Sequence, residues 1–199
     1  PYEAVLSADD TYLSSLLCVA NCIRHGVTCF IDPGNYHPAQ TVRAVGEIGM
    51  RAVVAKSSMD LAHSAFGTLP PRFQETTEEA LASGLHVVQE FHNSHNGRIR
   101  SSLSFRGVNN CTDNLICRMK EEADKFGILI QAHACFAKET QEASLQQHGI
   151  PEIERLHAIG VLGSNVLLIH CGWLSAKEVD LLQEFDVKVV ACASSSLHN

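Results

Sequence analysis

Short apolar runs alternate with longer amphipathic segments from one end of the chain to the other. The short runs are rich in β-branched residues and predict strands, whereas the amphipathic segments predict helices between them. The predicted strands are residues 27–31, 51–55, 99–103, 128–132, 166–169 and 187–192. Strands that are each followed by a helix form a parallel sheet with right-handed crossovers, so the pattern predicts an α/β fold.

Periodicity alone leaves two architectures open, a closed barrel and an open, doubly wound sheet. No G-x-G-x-x-G or G-x-x-x-x-G-K-[ST] motif follows any predicted strand. The phosphate-binding turns that mark open nucleotide-binding sheets are therefore missing. The loop at 67–71 is the one long irregular stretch, and in α/β barrels such loops tend to lie over the active-site face.

The ends of several predicted helices carry their own signals. Three helix starts share a capping box, in which a side-chain oxygen and an acid three residues later satisfy the first free amides. These pairs are Ser7 with Asp10, Thr76 with Glu79 and Ser175 with Glu178. Glycines that suit a left-handed C-terminal cap follow four predicted helices. They are Gly26, Gly49, Gly127 and Gly160.

Composition narrows the class of protein and of partner. The chain has 199 residues, of which 45% are hydrophobic and 19% charged, as in an ordinary globular domain. It contains no linker or low-complexity tract, so residues 1–199 are interpreted as one domain. A formal net charge of −7 argues against a nucleic-acid or membrane partner and favours a small-molecule substrate. The apolar run at 14–22 is too short to span a membrane.

The 8 cysteines are scattered through apolar stretches without any C-x-x-C pair. This usage is typical of buried free thiols in a reducing compartment rather than of structural zinc or disulfides. It predicts a cytoplasmic location.

Two histidines stand where the chemistry of a parallel α/β protein is expected. His133 and His170 each follow a predicted strand directly. The carboxyl ends of such strands hold the active site, and an imidazole can bind a metal or transfer protons near neutral pH. One strand-end histidine alone would more often be a hydrogen-bonded core residue. Two in equivalent positions on successive strands indicate a functional site.

At these residues the chain resembles the amidohydrolase superfamily. The similarity is to the aminohydrolase branch, which includes methylthioadenosine/S-adenosylhomocysteine deaminases, guanine deaminases, and atrazine and hydroxyatrazine hydrolases. It runs along the whole chain and is carried by His133 and by segments in the family's order. The segments are 24–32 (RHGVTCFID), 48–54 (IGMRAVV), 109–115 (NNCTDNL), 162–171 (LGSNVLLIHC) and 192–197 (CASSSL).

The resemblance implies the central part of an incomplete (β/α)₈ barrel, with strands 2 to 7 present. It implies one divalent metal, zinc or else iron, held by a His-x-His after the first strand, by His133 and by an Asp after the eighth. Metal-activated water would then remove an amino, alkylamino or chloro group from a nitrogen heterocycle. His170 would polarise the substrate or shuttle a proton.

The sequence departs from this pattern at its metal and acid/base positions. It contains no His-x-His, and it ends before an eighth-strand Asp, so His133 is the only metal ligand of the expected set. One imidazole does not hold a catalytic zinc, and we expect no turnover by this chain alone. Phe136 stands where the family commonly has its acid/base Glu. The nearest carboxylate, Glu139, either takes that role or merely begins the next helix.

Three further residues are candidates for substrate binding. Arg106 stands where relatives often place a substrate-contacting His, Trp173 could stack on a heterocycle, and Ser195 lies in the segment similar to the seventh strand. A non-catalytic barrel that serves as a binding or scaffold module stays an alternative, as does a hydrolase with Cys135 or Cys171 as nucleophile. Six strands cannot close a barrel, and the exposed edges predict a homo-oligomer.

Overall fold

The computed structural model of the chain describes residues 3–64 and 67–196. The helices are α1 (Ala8–Arg24), α2 (Pro38–Ile48), α3 (Thr77–Phe91), α4 (Ser94–Gly97), α5 (Asp113–Phe126), α6 (Lys138–His148), α7 (Glu152–Ala158), α8 (Ala176–Glu184) and α9 (Ala193–Ser196). The strands are β1 (Cys29–Ile31), β2 (Arg51–Val54), β3 (Ser57–Ser58), β4 (His63–Ser64), β5 (Gly67–Thr68), β6 (Ile99–Ser101), β7 (Leu103–Gly107), β8 (Ile130–Ala134), β9 (Val166–His170) and β10 (Lys188–Val190).

The main strands are parallel, and neighbours in space follow one another along the chain. One sheet has the order β1-β2-β6 and the other the order β3-β7-β8-β9-β10. The two sheets join where β2 leads into β3 and β6 into β7, since the amide of Ser102 donates to the carbonyl of Val54 at 3.1 Å. The α/β fold with parallel strands is thus confirmed. The described strands show none of the order reversal that defines a doubly wound sheet.

Two strands extend further than their apolar runs indicated. The run at 128–132 is observed as β8, which ends at Ala134 and contains His133. The run at 99–103, predicted as one strand, is divided between β6, which ends at Ser101, and β7, which begins at Leu103 and continues past Arg106 to Gly107. In both cases the ladder of backbone hydrogen bonds continues past the last apolar residue, so polar side chains are part of the strand ends.

The main core lies between the sheet and the helices that follow its strands. Phe105 of β7, Ile130 of β8 and Leu168 of β9 are fully buried in one cluster with Leu115 and Met119 of α5. Burying a large apolar side chain contributes about 1.5–3 kcal/mol. This packing fixes the strands and therefore the positions of the residues at their carboxyl ends.

The helix ends match the sequence signals. The capping boxes at Ser7, Thr76 and Ser175 all form, which confirms the predicted helix starts. All four glycines expected after helices have positive φ. Within the described part of the chain, no helix combines the length and the hydropathy that crossing a bilayer requires.

Gly34 lies in the turn after β1, where two backbone segments approach closely. Its φ is +108°, and a Cβ there would stand 2.8 Å from the amide nitrogen of Ser57. Both the backbone conformation and the space are therefore restricted to glycine. We expect Gly34→Ala to lower the free energy of unfolding by about 2–3 kcal/mol, measured by urea denaturation.

Gly149→Ala is the matched control for this prediction. Gly149 also has positive φ, at +74°, but a Cβ there would meet nothing within 4 Å. Gly149→Ala should lower the free energy of unfolding by only about 1–2 kcal/mol, which is the cost of the backbone strain alone. Equal losses for the two variants would contradict the close approach to Ser57.

Candidate active site

A cavity of about 540 Å³ opens at the carboxyl ends of β7, β8 and β9. Both strand-end histidines line it, and the segment Gly67 to Pro70 forms part of its wall. The expectation that the loop at 67–71 covers this face is thus confirmed. Four more lining side chains bear on its chemistry: Arg106, Phe136, Glu152 and Ser195.

His133 and His170 face each other across this cavity. Their ring centroids are 5.6 Å apart with an interplanar angle of 30°. The parallel pairing of β8 and β9 brings them together because Ala134 is in register with His170. Two side chains that are 37 positions apart in sequence therefore form one site.

The hydrogen bond of His133 defines which ring nitrogen is free. Its Nδ1 lies 2.7 Å from the carbonyl oxygen of Arg106, so that Nδ1 carries the proton and donates it. Burial, and next the positive charge of Arg106, lower the pKa of His133 to about 4. The ring is neutral at neutral pH, and its Nε2 lone pair is available. This is the arrangement of a metal-binding imidazole whose other nitrogen is oriented by a backbone carbonyl.

His170 occupies a strained backbone position. Its φ is +80°, and Cys171 and Cys135 also have positive φ, at 50° and 49°. Non-glycine residues in this region cost about 1–3 kcal/mol each, and they cluster at functional sites. Burial lowers the pKa of His170. Its Nδ1 is buried and has no hydrogen-bond partner among the described residues.

Arg106 reaches the cavity from the end of β7. Its guanidinium donates a hydrogen bond to the carboxylate of Glu3 at 3.2 Å, and a second N–O distance of 3.1 Å completes the ion pair. Tyr36 and Phe73 form an aromatic wall of the same cavity, with ring centroids 4.0 Å apart and planes 17° from parallel. The sequence analysis missed Glu3, Tyr36 and Phe73, because they lie in a bend or in single turns of 3-10 helix that carry no motif.

The other predicted site residues are only partly brought together. Ser195 lines the cavity, whereas Glu139 and Trp173 do not. Glu139 is exposed in the first turn of α6, where the structure favours its interpretation as a helix-start acid. Trp173 is 48% exposed, and its side chain is not part of the cavity wall.

Glu152 is a lining carboxyl group that sequence reasoning missed. It is only 2% exposed, and its oxygens accept hydrogen bonds from the amide of Cys135 at 2.5 Å and the side chain of Asn109 at 2.7 Å. Burial raises the pKa of Glu152. In sequence it follows Pro151 at a helix start, where an exposed acid is ordinary, so nothing marked it.

The described residues do not contain a full set of ligands for a catalytic metal ion. Among them, no group of three His, Cys, Asp or Glu side chains could hold a metal ion. His133 fits as one ligand, because its Nε2 is neutral and free. A catalytic zinc ordinarily needs three protein ligands or more.

The thiols do not fit the alternative of a cysteine nucleophile. Burial raises the pKa of Cys171 to about 12, and it also raises the pKa of Cys135. A reactive cysteine instead has a lowered pKa and a positive environment. Both thiols are protonated at neutral pH.

Parallel strands in chain order, with histidines at their carboxyl ends, are the arrangement of a barrel hydrolase. The chain belongs to the amidohydrolase family, whose model matches residues 2–198.

Individual relatives agree with this assignment. The 5'-deoxyadenosine deaminase of Methanothermobacter thermautotrophicus is 31% identical over 197 residues, which are 99% of this chain and 44% of that protein. A 5-methylthioadenosine/S-adenosylhomocysteine deaminase of Moorella thermoacetica is 28% identical over 99% of this chain and 43% of that protein. The chain thus spans less than half the length of these relatives.

Solved structures show the same fold. The atrazine chlorohydrolase of Arthrobacter aurescens, complexed with zinc, superposes with a TM-score of 0.87 at 19% identity, covering 98% of this chain and 45% of that one. Guanine deaminase of C. acetobutylicum, with bound guanine, gives 0.84 at 18% identity, covering 98% of this chain and 46% of that one. The α/β fold with parallel strands described above therefore matches the fold of these structures.

Proposed function

We propose that this chain is the central part of a (β/α)₈ barrel, strands 2 to 7, of a metal-dependent aminohydrolase. Its substrate would be a nitrogen heterocycle from which an amino, alkylamino or chloro group is removed. The observation that carries the proposal is the convergence of His133 and His170 on one cavity at the strand ends. The family match and the share of its relatives that the chain covers support the same conclusion.

His133 would be the fifth-strand ligand of one divalent metal, zinc or else iron. The remaining ligands would come from the first and eighth strands of a longer protein. When bound, such a metal supplies an activated water as the nucleophile. Within this chain, the carbonyl of Arg106 holds Nδ1 of His133 protonated, so that Nε2 keeps its lone pair for coordination.

The other cavity residues would bind and orient the substrate. His170 would polarise it or move a proton, since its imidazole is neutral at neutral pH. The stacked rings of Tyr36 and Phe73 offer a flat apolar wall for a planar heterocycle. Arg106 and Ser195 would supply polar contacts. Glu139 is left out of this proposal because it lies outside the cavity wall.

The chain by itself would be inactive, because the metal site needs residues from elsewhere. Among the residues that the structure describes, the two outer strands β1 and β10 each pair on one side only. Ile31 of β1 is 38% exposed, and Val189 and Val190 of β10 are 46% and 40% exposed. In the longer protein these edges would be covered by the first and eighth strands. For the chain alone they favour the predicted homo-oligomer. The predicted cytoplasmic location rests on the free thiols.

One observation favours the second candidate, a non-catalytic barrel that acts as a binding or scaffold module. Phe136 takes the place of the family's acid/base carboxylate and lines the cavity, with its ring centroid 5.7 Å from that of His170. An apolar ring cannot transfer a proton. Binding of a heterocycle without its hydrolysis would fit this arrangement.

Metal analysis and an activity assay separate the two candidates. The 199-residue chain should bind no stoichiometric tightly held zinc, whereas the longer protein should bind about one per chain. The longer protein should also release ammonia from 5'-deoxyadenosine, guanine or a related heterocycle, and a chelator should abolish this. Stoichiometric metal without hydrolysis of any heterocycle tested, but with binding, would favour the scaffold. A longer protein that binds no metal would overturn the proposal.

A further inference from the structure

Glu152 is a buried acid without a matching base. Glu152 is 2% exposed, and none of the described residues forms a salt bridge with its carboxyl group. Taking a carboxylate out of water costs several kcal/mol unless its oxygens are well satisfied. At the start of α7 a solvent-facing acid would meet the helix dipole without that cost. The buried position therefore calls for a role beyond capping this helix.

The carboxylate holds the backbone just after His133. One oxygen of Glu152 accepts the amide hydrogen of Cys135 at a distance of 2.5 Å. Cys135 has φ +49°, a conformation that is costly for a residue with a side chain. A hydrogen bond from that amide to a buried carboxyl oxygen stabilises the strained turn.

The same turn supports the backbone just after His170. The carbonyl of Cys135 accepts hydrogen bonds from the amides of Gly172 and Trp173, at 3.0 and 3.1 Å. The carbonyl of Ala134 accepts one from the amide of Cys171 at 3.0 Å. Any shift of the Cys135 peptide would thus be passed to the segment that begins with His170.

A second set of contacts leads from Glu152 to the same segment. The backbone amide of Glu152 donates to Oε1 of Gln141 at 3.0 Å. Nε2 of Gln141 in turn donates to the carbonyl of Trp173 at 2.7 Å. The other oxygen of Glu152 accepts from Asn109, whose amide nitrogen also donates to the carbonyl of Thr140 at 2.8 Å. The carboxyl oxygens of Glu152 thus bind the turn after β8 and Asn109 after β7, and its backbone amide binds helix α6.

We propose that Glu152 is a positioning residue that holds the turns after β8 and β9 in register, so that His133 and His170 face each other across the cavity. The purpose of this arrangement rests on the proposed function. The positioning itself is a property of this chain and is tested without any metal or substrate.

The test is amide hydrogen exchange by NMR on the 199-residue chain with Glu152→Met, which keeps the length of the side chain and removes both acceptors. We expect the amides of Cys135, Gly172 and Trp173 to exchange about tenfold faster, since the loss of a buried hydrogen-bond acceptor corresponds to about that factor. The imidazole signals of His133 and His170 should shift together. Amides of β1 and β2, far from the carboxylate, should be unaffected.

Glu142→Met is the matched control, because Glu142 is another acid of the same region whose side chain is 53% exposed. Glu152→Gln is the conservative variant: its amide oxygen can still accept from Cys135, so it should restore part of the protection. If exchange quickens only within α7, Glu152 merely stabilises that helix and the proposal is overturned. The same holds if Glu152→Met and Glu142→Met are alike at Cys135, Gly172 and Trp173.

A double-mutant cycle covers the case in which Glu152→Met does not fold. Cys135→Gly relieves the strain at positive φ, so the turn should need less support from the carboxylate. Glu152→Gln should therefore change the unfolding equilibrium constant less in the Cys135→Gly background than in the wild type. The ratio of the two effects, which is the coupling, should be roughly 3- to 100-fold. Additive effects would overturn the proposal. Neither amide exchange nor the unfolding equilibrium depends on metal content or on hydrolysis by the longer protein. A failure of the proposed function would therefore leave these two measurements unchanged.

Discussion

In the longer protein, His133→Asn should release the metal, whereas His170→Asn should keep the metal and lose the reaction. The expected difference follows from the hydrogen bond that fixes Nδ1 of His133 on the carbonyl of Arg106 and leaves Nε2 to coordinate. Removing only the partner of such a ligand costs about 10–100-fold in metal affinity, and removing the ligand itself should cost more. Loss of a proton-transferring imidazole at position 170 should lower kcat by about 10²–10⁴-fold.

Elemental analysis after dialysis and steady-state kinetics measure the two effects. His86→Asn is the control, because the His86 side chain is 72% exposed and its Nε2 lies 3.0 Å from the carboxylate of Glu90 on the same helix. It should change neither metal content nor kcat. If His170→Asn also loses its metal, the two imidazoles share one role, and the division proposed here is wrong.

The apolar pattern located the strands but not where they end. Ile130, Ala132 and Leu168 are buried and mark β8 and β9 clearly. The inner face of the sheet, however, is partly polar: Gln131 of β8 donates to the carbonyl of Asp32 at 2.7 Å and to Ser102 at 2.8 Å. Polar residues of this kind interrupt an apolar run without ending the strand. The residues that carry chemistry therefore lie just past the boundary that hydrophobicity predicts.

Strand-end histidines could be found from the sequence because their position follows from topology alone. Parallel strands place all their carboxyl ends on one side, so two apolar runs that end in His indicate one site. Glu3 and Tyr36 could not be found in this way. Their place in the cavity depends on how loops pack across the strand ends, which no local pattern encodes.

The sequence also did not indicate which charged residues are buried. The segment Pro151-Glu-Ile-Glu-Arg155 has the composition of an exposed helix start. In the structure Glu152 and Arg155 are 2% and 3% exposed, whereas Glu154 pairs with Lys177 at the surface. Whether a charged side chain is buried depends on the hydrogen-bonding partners available in the interior, and those partners come from distant parts of the chain.

Arg155→Met should lower the free energy of unfolding by about 2–4 kcal/mol, because it leaves the two backbone carbonyls that the buried guanidinium satisfies without their donor. The guanidinium of Arg155 donates to Asp113 at 2.8 Å, to the carbonyl of Val108 at 2.8 Å and to the carbonyl of Cys111 at 3.1 Å. Those carbonyls belong to the turn after β7 that borders the cavity. Methionine fills similar space but leaves both carbonyls without a donor, and lysine cannot reach all three acceptors from one ammonium group.

Urea denaturation of Arg155→Met beside Arg118→Met measures this effect against a surface pair. Arg118 pairs with Glu78, with the two side chains 35% and 75% exposed, so its loss should cost no more than about 1 kcal/mol. Cavity residues on the turn, among them Val108, should gain mobility in Arg155→Met but not in Arg118→Met. Similar urea midpoints for the two variants would mean that the turn after β7 keeps its shape without the guanidinium of Arg155. The carboxyl group of Glu152 and the side chain of Asn109 would then be sufficient to hold this turn.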